Sequence, residues 1–289
     1  VVNQGVSSES SSVTPGVTTI ENCNISANVS NNISQLCSAG GVVGYIMNGF
    51  GTVNIRNCSV AGSINIENSL EESTAGGVIG RSNASVVIEN VIVSADIAAA
   101  DKYAGAVFGT LAVNNETTSV SISNTLISAK LSGSASVGIL SSTLDIMSTA
   151  TANAVKIDNC GFEIAAENAG ALTVCGNNAD EDVVISDFVS ATGIYLLANL
   201  ADGVEMDLSQ EKNIFDKALF TLNKSSGTER FYVGTDFSNF VWLEGSPTPV
   251  MADFVWVGQE LLQMYYQTYG EGYMTNLITS SGSGWQAIS

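Results

Sequence analysis

Five asparagines recur in one phrase at near-constant spacing: Asn22, Asn57, Asn90, Asn124 and Asn159, at intervals of 35, 33, 34 and 35 residues. Two residues before each stands an isoleucine: Ile20, Ile55, Ile88, Ile122 and Ile157. Self-similarity at a fixed period constrains the fold more than any local propensity does. A degenerate sixth copy reads VVISDFVS, with Ile185 in the isoleucine place and Asp187 in the asparagine place.

Around each asparagine the chain has strand periodicity. Before it, the pairs Val53 and Ile55, Val86 and Ile88, Val120 and Ile122, and Val155 and Ile157 alternate with polar residues. After it the apolar parity shifts by one: Cys58, Val60, Ile64 and Ile66 share a phase, as do Val91, Val93, Ala95 and Ile97. A period of two changes parity only where the chain bends or bulges. Asparagine tolerates a left-handed backbone better than most residues, so each copy reads as strand, asparagine corner, strand.

A glycine phrase follows about half a repeat later. It reads AGGVVG at 39–44, AGGVIG at 75–80 and AGAVFG at 104–109, then weakens to VGILSS at 137–142 and AGALTV at 169–174. Its glycines permit bends or close backbone packing, and its paired apolar residues suit a buried strand. A single unit of about three short strands cannot bury a core alone. Stacked units can, each coil pairing with the next about 4.8 Å away. The expected fold is therefore all-β: a β-solenoid of about five to six coils, with the five asparagines laddered along one corner and each amide bonding the next.

The coupled phrases GVVG (41–44) then VNIRNCSV (53–60), and GVIG (77–80) then VVIENVIV (86–93), resemble the GLUG-motif repeats of bacterial surface proteins. That pattern joins a Gly-Leu-Val-Gly phrase to an Ile-x-Asn-Cys phrase, and the resemblance covers about residues 18–190. Here valine replaces the leucine, and the cysteine is lost at Val91 and Thr125. The resemblance implies an exported, surface-associated role and supplies no catalytic residues.

Composition narrows the partners. The net charge is −19, with nine Lys plus Arg and no histidine, so nucleic acid and anionic membrane surfaces, which need basic partners, are excluded as targets. No apolar run reaches the roughly 20 residues of a membrane span. The chain opens on Val1 and shows no signal peptide, which reads as a processed or trimmed form. Sparse, acidic charge fits an extracellular or cell-surface location.

The cysteines are Cys23, Cys37, Cys58, Cys160 and Cys175. Metal binding or redox chemistry is the functional reading of Cys23, Cys58 and Cys160. The equivalent positions Val91, Thr125 and Phe188 favour a small inward packing residue instead. Cys37 and Cys175 are left open between reactive and paired. No cofactor or metal is expected. The acidic run Asp180, Glu181 and Asp182 lacks the spacing of a Ca²⁺ loop. Glu67, Glu71, Asp96 and Asp101 are the carboxylates a carbohydrate-cleaving solenoid would use. With arginine only at 56, 81 and 230 and no histidine, such a site has few helpers, and the chain is not read as an enzyme.

Three segments follow: an extended leader over 1–17, solenoid repeats over 18–190, and a capping or interaction segment over 191–289. The last holds all three tryptophans and a helix expected around 257–269. It is either an aromatic-rich cap or a small α+β unit. Trp242, Trp256, Tyr265, Tyr266 and Tyr269 form either its core or an interface for protein or sugar. The functional expectation is a structural protein, a surface adhesin module or fibre subunit, whose partner is a second copy or a host-surface glycan or protein. Strand addition between copies is the expected mode of assembly. The alternative is a carbohydrate-binding or carbohydrate-cleaving solenoid.

Overall fold

A computed structural model describes residues 16–31, 37–49, 51–67, 73–99, 103–133, 136–178, 183–208, 211, 214–216, 218–233 and 241–242. Trp256, Tyr265, Tyr266, Tyr269, the helix expected at 257–269, the acidic run 180–182, Glu71 and Asp101 lie outside the described residues.

The chain winds as a β-solenoid of about five turns. The first coil holds β1 (Val17–Glu21), β2 (Asn24–Asn31), β3 (Ser38–Gly40) and β4 (Val43–Ile46). The second holds β5 (Thr52–Arg56), β6 (Ser59–Ile66), β7 (Thr74–Gly76) and β8 (Ile79–Ser82). The third holds β9 (Ser85–Glu89), β10 (Ile92–Ala99), β11 (Tyr103–Gly105) and β12 (Phe108–Val113). The fourth holds β13 (Val120–Ser123), β14 (Leu126–Gly133), β15 (Ser136–Gly138) and β16 (Ser141–Ile146). In the fifth, β17 (Val155–Glu167) runs through the corner, followed by β18 (Ala171–Thr173) and β19 (Asn177–Asn178). A coil thus carries four strands where the sequence suggests three: the glycine phrase is a second corner, with a strand on each side.

Every strand pairs in parallel with its equivalents one repeat away. Ile20 pairs with Ile55, Ile55 with Ile88, Ile88 with Ile122 and Ile122 with Ile157. Ile55, Ile88, Ile122 and Ile157 are buried, and Ile20, in the first coil, is half-buried. Burying one such side chain contributes roughly 1.5–3 kcal/mol, and the ladder repeats that contribution from coil to coil.

All five asparagines occupy the left-handed region, with φ of 55°, 51°, 53°, 48° and 50° from Asn22 to Asn159. That conformation explains the parity shift read from the sequence. Each coil tightens the corner further: the backbone N–H groups of Asn22, Asn57, Asn90 and Asn124 donate to Arg56, Glu89, Ser123 and Asp158 carbonyls in the next coil. The side-chain ladder is less complete than expected. Asn90 donates to Asn57 at 3.1 Å and Asn159 to Asn124 at 2.8 Å, so amide bonds close alternate steps.

The second corner has a steric cause. A Cβ on Gly76 would collide with the Ile79 carbonyl oxygen, and one on Gly105 with that of Phe108. In these coils the carbonyl leaves no room for a side chain, while the fifth coil carries Thr173 in the same register.

The sixth copy is not where the sequence phrase places it. Ile185–Phe188 forms one helical turn, α1, with Ile185 buried. The next strand, β20 (Val189–Leu200), pairs Ala191 with Ile157, Thr192 with Asp158 and Ile194 with Cys160. The residue opposite Asn159 is therefore Gly193, at φ 67°. Glycine takes the left-handed corner without a side-chain penalty, so neither Ile185, Asp187 nor Phe188 holds its expected place. Parallel stacking runs past residue 190. The following strands are β21 (Glu205–Met206), β22 (Phe215–Asp216), β23 (Ala218–Lys224), β24 (Gly227–Val233) and β25 (Val241–Trp242). β20 pairs in parallel with β22 and β23, and β24 and β25 then add antiparallel.

Candidate functional site

The two ends of the stack differ. At the first coil, β1, β2, β3 and β4 are each the terminal strand of their sheet, and among the described residues nothing pairs with their outer sides. The Cys23 and Asn31 carbonyls accept from Ser59 and Glu67 of the second coil. In a parallel ladder alternate residues bond alternate sides, so the N–H and C=O groups of Asn24, Ser26, Asn28 and Ser30 face outward. β1 and β2 are mostly exposed, and Glu21 is the sole charged residue in them. Exposed edges are normally guarded by lysine, proline, bulges or covering loops. No lysine or proline stands in either strand.

At the far end the largest sheet is covered by the antiparallel pair β23 and β24. The glycine corners end differently. Val78, Val107 and Leu140 donate their N–H groups to Val107, Ile139 and Val174 of successive coils. Among the described residues no sixth glycine corner receives the fifth. The Glu211 carboxylate stands in for it, accepting Val174 N–H at 3.0 Å and Cys175 N–H at 2.7 Å. Glu211 is 2% exposed. Burial pushes its carboxyl up to about 7, against the two N–H bonds that favour the charged form, with Asp207 adding repulsion. No pattern in the sequence singles Glu211 out, because its role comes only from where the stack stops.

The cysteines of the repeat phrase point inward beside the corner. Cys58 Sγ donates to the Arg56 carbonyl at 3.1 Å and Cys160 Sγ to that of Asp158 at 3.2 Å. Thr125 Oγ1 makes the same bond to Ser123 at 2.9 Å. The position wants a small side chain that caps the carbonyl two residues back; Val91 fills it without the bond. Burial pushes Cys160 up to about 12 and raises Cys58 and Cys175. None of the three suits a thiolate ligand. No group of three metal-ligating side chains occurs among the described residues.

Of the carboxylates of the carbohydrate reading, the two among the described residues, Glu67 and Asp96, are not brought together. Asp96 lies opposite Ser63, four positions along the strand from Glu67, roughly 13 Å at strand rise. Glu67 accepts a bond from Asn65. Tyr45, 43% exposed on β4, resembles a sugar platform, but the Arg81 guanidinium sits 5.7 Å from its ring centroid and Asn83 reaches its hydroxyl. The structure places Trp242 on β25, its backbone paired with Phe231. Among the described residues no helix is long and apolar enough to cross a membrane.

The chain matches no family profile, no curated protein and no solved structure.

Proposed function

We propose that the chain is an extracellular structural module, a surface adhesin or fibre subunit, that acts by pairing the edge of its first coil with a strand of a second copy. The observation that carries this reading is the first coil itself: four terminal strands, outward backbone groups and one charge in β1 and β2. Main-chain pairing to such an edge supplies affinity without a side-chain pocket. The resemblance of the repeat phrases to GLUG-motif surface proteins supports the exported location.

Ser26→Pro tests this directly. Its N–H faces outward, so the substitution removes an edge donor and no bond to the second coil. Sedimentation velocity of the full chain should show association that grows with concentration in the wild type and disappears in Ser26→Pro, with unchanged far-ultraviolet dichroism. A wild type that stays monomeric as concentration rises sinks the reading. The alternative, a carbohydrate-binding or carbohydrate-cleaving solenoid, is measured by a glycan array with a reducing-sugar assay.

A further inference from the structure

The cysteine position of the repeat is a packing site in most coils, but in the first two coils it is filled by cysteine twice in succession. Glu21 pairs with Arg56 and Asn24 with Ser59, so Cys23 and Cys58 stand directly opposite one another between two registered segments. Their sulfurs converge on the end of β1. Cys23 Sγ lies 3.3 Å from the Glu21 carbonyl oxygen, and Cys58 Sγ reaches across the coils to within 3.7 Å of the Ile20 carbonyl oxygen. Adjacent parallel strands lie about 4.8 Å apart, inside the Cα separation of roughly 4.4–6.8 Å that a disulfide accepts. The third coil has Val91 at this place, which isolates the pair from Cys160. Cys23 is half-buried and open to a reagent, while Cys58 is 2% exposed behind it.

We propose that Cys23 and Cys58, both free thiols here, are a latent disulfide site that fastens the edge coil to the second coil on oxidation. The inference stands independently of the proposed function. The co-reactant is a low-molecular-weight disulfide. The Cys23 thiolate attacks one of its sulfurs, forming a mixed disulfide and releasing one small thiol. The Cys58 thiolate then attacks the Cys23 sulfur, forming the protein disulfide and releasing the second small thiol. Two protein thiols each lose one hydrogen, and the small disulfide is reduced to two thiols. Burial raises the Cys58 thiol, so the second step is the slower one and quickens as pH rises.

The test is oxidation of the folded full chain with oxidised glutathione, followed by alkylation under denaturing conditions and peptide mass mapping. The expected result is one cross-linked peptide pair joining Cys23 to Cys58, with Cys160 and Cys175 alkylated. Cys58→Ser should stop at glutathione on Cys23, trapping the first step. Wild-type protein that keeps both thiols, that holds glutathione on Cys23 with Cys58 still alkylated, or that joins Cys23 to Cys37 overturns the proposal.

Discussion

Asn159 donates its side-chain amide to Asn124 Oδ1 at 2.8 Å, across one repeat, and both residues turn the backbone at nearly the same φ, 50° and 48°. One residue type therefore does two jobs at this corner. It accepts a left-handed backbone, and it bonds its counterpart in the next coil.

The two jobs separate by substitution. Asn124→Ala loses both, at about 1–2 kcal/mol for the left-handed Cβ plus about 0.5–1.5 kcal/mol for the hydrogen bond. Asn124→Gly keeps the backbone and loses the amide bond, and should cost distinctly less. Urea unfolding of both variants decides the matter. Equal losses would mean the backbone conformation is not what selects asparagine.

The isoleucine ladder should show a positional gradient. Ile122, fully buried in the fourth coil, should cost about 2–5 kcal/mol when changed to alanine. Ile20→Ala, in the half-buried first coil, should cost less than half as much. Denaturant midpoints with unchanged slope would read out the difference.

At the glycine corner, Gly105→Ala drives a methyl group into the Phe108 carbonyl oxygen, and the corner cannot give way without shifting the third coil. The expected loss is at least the roughly 1–3 kcal/mol of core overpacking. A melting temperature within a degree or so of wild type contradicts the steric reading of the phrase.

Glu211 links the closed end to pH. Its folded value is raised from 4.5 to about 7, so its contribution to stability is fully present below about pH 4.5 and is lost as pH rises through about 7. The size is on the order of 3 kcal/mol, from 1.36 kcal/mol per pKa unit. Glu163, also raised by burial, acts in the same direction, so the comparison is with Glu211→Gln. The variant's stability profile should be flatter than the wild type's between pH 4.5 and 7. The groups in play at this site are Asp207 and the raised Cys175 thiol. Parallel profiles would mean Glu211 does not carry the dependence.

The corners at residues 22 to 159 were legible because two requirements coincide in one letter: a left-handed backbone and a laddered amide. The sixth corner was not, because glycine satisfies only the first. The phrase around Ile185 and Asp187 copied the letters of the repeat without its backbone. Gly193, one repeat beyond Asn159, was the signal: constant spacing outranks local resemblance in a registered stack. Glu211 was illegible for another reason. Its carboxylate takes the place that backbone carbonyls hold at the earlier glycine corners, and no local pattern encodes that exchange. The bare edge could have been read, since the first coil's strands hold almost no charge.

The central claim is that the outward backbone of β2 pairs with another copy. Hydrogen exchange resolved to single amides, across a concentration series of the full chain, measures those groups themselves. Asn24, Ser26, Asn28 and Ser30 should exchange fast in dilute protein and gain protection together as concentration rises, while Ile25, Ala27 and Val29, bonded to the second coil, stay protected throughout. Protection of the four amides that is complete in dilute protein, or absent at every concentration, would contradict the account.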